Sequence, residues 1–371
     1  MDQRKGQRCC GPTPRAHHIL TFAQTLAGGG VESAMLRLAE GWLAAGRRVT
    51  ILLGDGEGPL AGDLPQGAEL IEIGAHGLPA LRVPERLVRR IAPDLLFCPG
   101  NHYTSSLLWL RCQMGRALPP VVGKISNALA SRPPFGAVRR FWLARHRGFI
   151  DHFVALSPAM RAEAMAALGV PPTRVSVIPN PPALPRTLRL PPRLPRAPLL
   201  VGVGRLEPQK RWDRLIAAIP RLADRAAIAL ILGEGSLRPM LEAQIRALGL
   251  SERVLLPGYC PDPAGYVRQA RAAVLTSDFE GAPNVLREAL ALGTPVVATD
   301  SSVAVREIVD RPALGTVVPR DDGDALVAAL DDWLAPNARR PDPVPPPGLD
   351  APARYLELFD RLVIERRVMA A

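Results

Sequence analysis

Pro179-Asn180-Pro181-Pro182-Ala183-Leu184-Pro185, followed at short intervals by Pro191-Pro192, Pro195 and Pro198, divides the chain into two halves. Proline fixes φ and lacks an N–H, so at this density neither a helix nor a central strand can continue. The stretch reads as a stiff linker. On both sides of it, apolar strand-like runs alternate with helical segments. Such alternation predicts an α/β fold: two doubly wound, Rossmann-like domains, each a parallel sheet with helices on both faces. Two units around a proline seam also predict a central cleft, where the ligands of open α/β sheets collect.

Before the seam, His18 to Phe22 reads as a strand and Gly28-Gly29-Gly30 as the turn into a helix from about Val31 to Ala45. Val31, Met35, Leu38 and Trp42 share one face of that helix, and Gly46 is its stop. Val49 to Leu53, Leu95 to Cys98, Pro120 to Gly123 and Phe153 to Leu156 read as further strands. After the seam, strands are predicted at Leu199 to Val203, Ile228 to Leu232, Val254 to Leu256, Ala273 to Thr276 and Pro295 to Thr299. The helices between them are Trp212 to Ala223, Ser236 to Leu248 and Asn284 to Leu292. A second Pro-rich stretch, Pro336 to Pro352, precedes an amphipathic helix, Ala353 to Arg367, expected to pack back on the first domain. The predicted organisation is a flexible basic tail (1–15), a first domain (16–183), a linker (184–198), a second domain (199–335), a Pro-rich segment (336–352) and a terminal helix (353–371).

The 371 residues are 47% hydrophobic and 22% charged, which excludes low-complexity, collagen-like and small disulfide-stapled classes. No run of about 18 apolar residues marks a membrane span, and the start lacks the shape of a secretory signal. Cys9, Cys10, Cys98, Cys112 and Cys260 are scattered without metal-ligand spacing, so a reduced, cytoplasmic setting is expected. The net charge of +11 is concentrated early: residues 1–185 hold 21 Lys and Arg against 12 Asp and Glu. Between Asp94 and Asp151 there are eight basic residues and no acid, a local field that implies an anionic partner. Part of the excess reflects an Arg-rich composition, 43 of the 46 basic residues being Arg. From Arg132 to Phe149 the basic residues interleave with aromatics. Arg139, Arg140, Trp142, Arg145 and Arg147 are candidates for contact with an anionic membrane surface, which would make the protein peripheral on the inner face of the plasma membrane. No nucleic-acid motif accompanies them, and nucleic acid is not an expected partner.

Three segments carry chemistry. Gly28-Gly29-Gly30 lets backbone approach a ligand at a helix N-terminus, but it lacks the spacing of a dinucleotide fingerprint or a P-loop. Gly204-Arg205, with Lys210 five residues on, aims a guanidinium fork and an ammonium at one diphosphate. In Ser277 to Leu290, Glu280 precedes the helix start at Pro283-Asn284, with Asn284 a candidate cap, and Glu288 lies a turn inside. Two carboxylates flanking an anion site suit sugar hydroxyls, because ionised carboxylates only accept hydrogen bonds.

Glu280-x7-Glu288, with Gly204-Arg205-x4-Lys210 upstream, resembles the retaining family 4 glycosyltransferases of GT-B fold (glycosyl transferases group 1). Ser157-Pro158-Ala159-Met160, Val177-Ile178-Pro179-Asn180, Gly233-Glu234-Gly235, Leu256-Pro257-Gly258, Gly293-Thr294-Pro295 and Arg306-Glu307-Ile308 recur in the family's order. The resemblance implies an acceptor domain first and a nucleotide-sugar donor domain second. It further implies transfer of a sugar, from UDP-sugar by family precedent, to a glycan or lipid-linked hydroxyl in polysaccharide or glycolipid synthesis. It makes Arg205, Lys210 and Glu280 catalytic. Gly29, Gly30, Gly258, Gly281, Asn284, Val285, Leu286 and Glu288 join them in holding the donor, Glu280 on the sugar and Glu288 on the ribose. No metal and no cofactor are implied, because cationic side chains and helix amides neutralise the leaving diphosphate. Many members place a His at the end of a first-domain strand, where this chain reads Val122-Gly123-Lys124-Ile125-Ser126-Asn127. Lys124, Asn127 and His102 are the candidates for that place. A sugar-nucleotide epimerase of the same fold, and a nucleotide-sugar-binding partner subunit without turnover, are the alternative functions.

Overall fold

Fully buried, mostly apolar runs such as His18-Ile19-Leu20-Thr21-Phe22-Ala23 have no solvent face, and they form strands covered on both sides. The structure, a computed structural model, describes residues 15–74, 83–127, 129, 145–183 and 197–370, the side chains of His102, Ser105 and Ala370 excepted. The first sheet contains β1 (His18–Ala23), β2 (Arg48–Leu53), β3 (Glu69–Glu72), β4 (Leu95–Cys98), β5 (Val121–Lys124), β6 (His152–Ala155) and β7 (Val175–Val177). All its pairs are parallel, in the order β3-β2-β1-β4-β5-β6-β7. Its helices are α1 (Gly30–Ala44), α2 (Glu85–Ile91), α3 (Thr104–Met114) and α4 (Pro158–Leu168).

The second sheet contains β8 (Leu199–Val203), β9 (Ile228–Leu232), β10 (Val254–Gly258), β11 (Ala272–Leu275), β12 (Val296–Thr299) and β13 (Gly315–Val318). It too is parallel, in the order β10-β9-β8-β11-β12-β13. Around it lie α5 (Trp212–Ala218), α6 (Arg238–Ala247), α7 (Ala264–Gln269), α8 (Asn284–Ala291), α9 (Val303–Ile308) and α10 (Gly323–Leu334). In each sheet the strand order reverses once, at β1/β4 and at β8/β11. Crevices at the carboxyl ends of such switch points are where open α/β sheets bind ligands.

The terminal helix, α11 (Ala351–Ala370), begins two residues earlier than the sequence predicts and packs on the first domain as expected. Its Tyr355 and Phe359 enclose Trp42 of α1 and Phe97 of β4. Trp42 meets Phe359 at 5.2 Å and Phe97 at 5.3 Å between ring centroids, both edge-on. Asp360 accepts from the Ala16 amide at 2.8 Å and pairs with Arg47 at 2.8 Å.

The Pro-rich stretch before α11 is a strap from the second domain back to the first. Arg340 donates to the carbonyls of Ala270 (2.8 Å) and Gly293 (3.0 Å), and the Val344 amide to Leu290 O (2.9 Å). At Gly348, with φ +89°, the strap passes so close to the first domain that a Cβ would lie 2.3 Å from Asn180 O.

Candidate active site

The turn after β8 is wedged in place by glycine. Leu206 N donates to Glu234 O at 2.8 Å, and a Cβ on Gly235 would sit 2.5 Å from Leu206 O. Gly233-Glu234-Gly235 therefore supports Arg205 by letting two backbone turns touch. Trp212 Nε1 donates to Arg205 O at 3.0 Å from the other side. The Arg205 side chain is exposed, with no hydrogen bond or ion pair to a described residue.

A short turn, Pro208–Lys210, is tied to the loop after β11 by three bonds. Gln209 Nε2 donates to Phe279 O (2.7 Å), the Asp278 amide to Gln209 O (2.9 Å) and Thr276 Oγ1 to Lys210 O (2.9 Å). These bonds bring Lys210 Nζ to 2.7 Å from Glu280 Oε1, and Ser277 Oγ donates to the same oxygen at 2.6 Å. Arg205, Lys210 and Glu280, placed together by the sequence, thus stand at the β8/β11 switch point. Lys210 is already engaged by Glu280 and is not a free cation.

The other residues expected at the donor lie on α8 and the loops around it, and one reading among them, the cap at Asn284, needs correction. Asn284 does not cap α8: Pro283 holds the N-cap position, and Asn284 is the first helical residue, its side chain turned to Asn180. Leu286 is fully buried in the second domain's core, and its amide donates to Pro283 O at 3.2 Å. Val285 is half-buried against the same core, so any donor contact from this turn falls to backbone amides. Gly258, with φ +101°, faces Glu234 and accepts from the Gly233 amide at 2.9 Å. Glu288 sits at the seam between domains. Burial pushes its carboxyl above the ordinary value, while Arg37 and the Ala183 amide favour its ionised form.

Across the cleft, Gly28-Gly29-Gly30 follows β1 at the first switch point. With φ +88°, Gly28 lies close enough to the second domain that a Cβ would touch Tyr259 at 3.3 Å. Glu32 Oε1 accepts from Tyr103 Oη at 3.0 Å, and Tyr103 Oη accepts from the Gln24 amide at 2.8 Å, so this glycine loop is braced from beneath. Lys124 is buried at the end of β5, bonded to Asn180 Oδ1. Asn127 O accepts from Asn101 Nδ2 at 3.2 Å, and nothing is described of the His102 side chain. Arg139, Arg140 and Trp142 lie outside the described residues, whereas Arg145 and Arg147 are exposed on the first domain.

The two domains come close at Gly281, where a Cβ would lie 2.2 Å from Ser126 O and 3.3 Å from Asn127 Cα. Ser302 Oγ fixes this glycine by donating to its carbonyl at 2.6 Å. Gly281→Ala is expected to leave melting temperature nearly unchanged, because the second domain is untouched inside. It should lower turnover about tenfold or more, since a shift near 1 Å in reacting groups costs up to about 10²-fold. Steady-state rates beside a melting curve check both halves of that expectation. Sequence reading named Gly281 and Glu307 but found neither this contact nor that of Glu307, whose Oε1 accepts from the Ala159 amide of α4 at 2.9 Å across the cleft.

Residues 28–182 match the family model described as Glycosyltransferase Family 4, and residues 197–335 match Glycosyl transferases group 1. Over 135 residues the chain is 36% identical to the N-acetylgalactosamine-N,N'-diacetylbacillosaminyl-diphospho-undecaprenol 4-alpha-N-acetylgalactosaminyltransferase of Campylobacter jejuni, covering 36% of this chain and 37% of that protein. It is 31% identical over 193 residues to the lipopolysaccharide 1,6-galactosyltransferase of Salmonella typhimurium, covering 50% and 51%. The chain thus spans about half the length, or less, of these curated relatives. Anabaena HepE, solved in complex with UDP and glucose, superposes with a TM-score of 0.69 at 19% identity, covering 95% of this chain and 98% of that one. The lipopolysaccharide outer core galactosyltransferase WaaB, solved in apo form, gives 0.62 at 20% identity, covering 94% and 98%. With a matched model on each of the two sheets, in the family's order, the chain belongs to the GT-B glycosyltransferases of group 1 and family 4.

Proposed function

We propose that the protein transfers a sugar, with retention of configuration, from a UDP-sugar to a hydroxyl of a glycan or lipid-linked acceptor in cell-surface polysaccharide or glycolipid synthesis. The observation that carries this reading is the Lys210–Glu280 pair, with the exposed Arg205, which has no side-chain partner among the described residues, on the same loop after β8 at the carboxyl end of the second sheet. Arg205 offers a two-pronged donor to the diphosphate, and Lys210 a compact charge. Glu280 has its second oxygen left to accept from sugar hydroxyls. As the bond from C1 of the sugar to the phosphate oxygen breaks, the acceptor oxygen bonds C1 from the same face. The acceptor's proton passes to the departing phosphate, so no separate base is required. The two cations and the first amides of α8 stabilise the charge that develops there, and no metal is called for. HepE's complex with UDP and glucose supports the donor, and the undecaprenol-linked and lipopolysaccharide substrates in the relatives' names support the acceptor class.

A panel of UDP-, GDP- and ADP-sugars tested for thermal stabilisation decides the donor, because a ligand that binds only the native state raises its stability by mass action. A rise with UDP-sugars is expected, and no rise with any member of the panel sinks the reading. No described helix is long and apolar enough to cross a membrane. The proposed membrane contact is peripheral, through Arg145, Arg147 and the neighbouring basic residues of the sequence. Binding to anionic vesicles that weakens with salt is the expected result in co-sedimentation, and equal binding to neutral vesicles would contradict it.

A further inference from the structure

Asn180 lies where the chain leaves the first domain, 8% exposed, and its carboxamide is used at both ends. Its Oδ1 accepts from Lys124 Nζ at 3.2 Å, at the end of β5 in the first domain. Its Nδ2 donates to Asn284 Oδ1 at 3.3 Å, on the first residue of α8 in the second. A carboxamide carries its acceptor and its donor on separate atoms, so one side chain can bridge the two domains. The residues that follow are gripped from the same two sides. Arg37 Nε donates to Pro181 O at 3.1 Å, and Glu288 accepts from the Ala183 amide. The strap presses Gly348 against Asn180 O. Residues 180–183, the proline-rich end of the predicted first domain, are held between the half-sites.

We propose that Asn180 is a positioning residue: by bridging Lys124 and Asn284 it sets the register of the two domains, so that turnover depends on it while nucleotide affinity does not. The contacts proposed for the diphosphate and ribose, Arg205, Lys210 and Glu288, lie in the second domain, with only the Gly29-Gly30 loop reaching the donor from the first. The bridge acts when the two domains must meet around sugar and acceptor. The inference rests on the proposed transferase reading for its turnover measurement alone. Lys124 gives an independent readout. Burial lowers its amine to about 8, with Glu32 of α1 and Cys98 of β4 opposing the shift and Arg37 of α1 adding to it. In Asn180→Asp a carboxylate would face this amine and raise its titration point, while the Asn284 carboxamide rotates to donate to the new acid.

The test uses the full chain with UDP and UDP-glucose as probes. Asn180→Leu should bind UDP within twofold of wild type by calorimetry. With water as the acceptor that takes the glucosyl group, it should hydrolyse UDP-glucose to glucose and UDP about tenfold to a hundredfold more slowly than wild type, the scale of a misplaced reacting group. In Asn180→Asp, lysine NMR should show the Lys124 titration moved above about 8. With only three lysines in the chain, its signal is readily assigned. Turnover of Asn180→Leu within twofold of wild type overturns the proposal, as does an unmoved Lys124 titration. If wild type itself binds neither probe, the transferase reading fails on its own. The NMR titration then decides the bridge, a shift upholding it and no shift removing it.

Discussion

Replacing Lys210 with methionine is expected to cost both stability and turnover, and the two losses should separate in a second variant. The Lys210 and Glu280 side chains are 15% and 10% exposed, and their charged atoms lie 2.7 Å apart. Without the ammonium, Glu280 keeps only the Ser277 hydroxyl as a donor to its bonded oxygen. A buried charge left without its partner typically costs about 3–5 kcal/mol, and this site opens on a cleft, so the lower end, about 3 kcal/mol, is expected. Turnover should fall about 10²–10³-fold, as when a donor to a developing anion is removed. Lys210→Met combined with Glu280→Gln removes the stranded charge, so urea midpoints should recover most of the lost stability while turnover stays low. Turnover of Lys210→Met within a few fold of wild type would mean that the ammonium only neutralises Glu280 and takes no part with the donor.

The second large effect concerns α11, the last helix of the chain, which completes the core of the first domain. Phe359 is fully buried and packs edge-on to Trp42 at 5.2 Å. Phe359→Ala is expected to destabilise the first domain by about 3–5 kcal/mol, the transfer and cavity cost of a buried Phe. The damage should be local. Hydrogen exchange is expected to show lost protection in β1, β4 and α1, whose core α11 covers, and unchanged protection in β8 to β13. Uniform loss in both sheets would contradict a core divided between the domains.

The two-domain α/β reading was legible because each rests on local chemistry. Proline at 179, 181, 182 and 185 breaks any regular element, and runs such as Leu199 to Val203 are apolar on both faces. Elements without such a signature were missed. β3, Glu69-Leu70-Ile71-Glu72, is a largely exposed edge strand with acidic ends, and β13 begins with glycine. α9 spans only Val303–Ile308, too short for a period to show. Arg205, Lys210 and Glu280 could be found because each lies just beyond a strand end or before a helix. Asn284 was misjudged because its residue type suits a cap, whereas tertiary contact with Asn180 claims its side chain. Gly281, Asn180 and Glu307 act across the cleft, and nothing in their neighbourhood in sequence announces the partner.

The central claim is that the second domain grips a nucleoside diphosphate through Arg205. Titrating UDP calorimetrically into wild type, Arg205→Ala and Arg205→Lys tests it most directly. Saturable binding to wild type is expected, weakened at least about tenfold by Arg205→Ala and only partly restored by Arg205→Lys, because an ammonium lacks the planar fork. Equal affinity in all three proteins, or no binding to wild type, would contradict it.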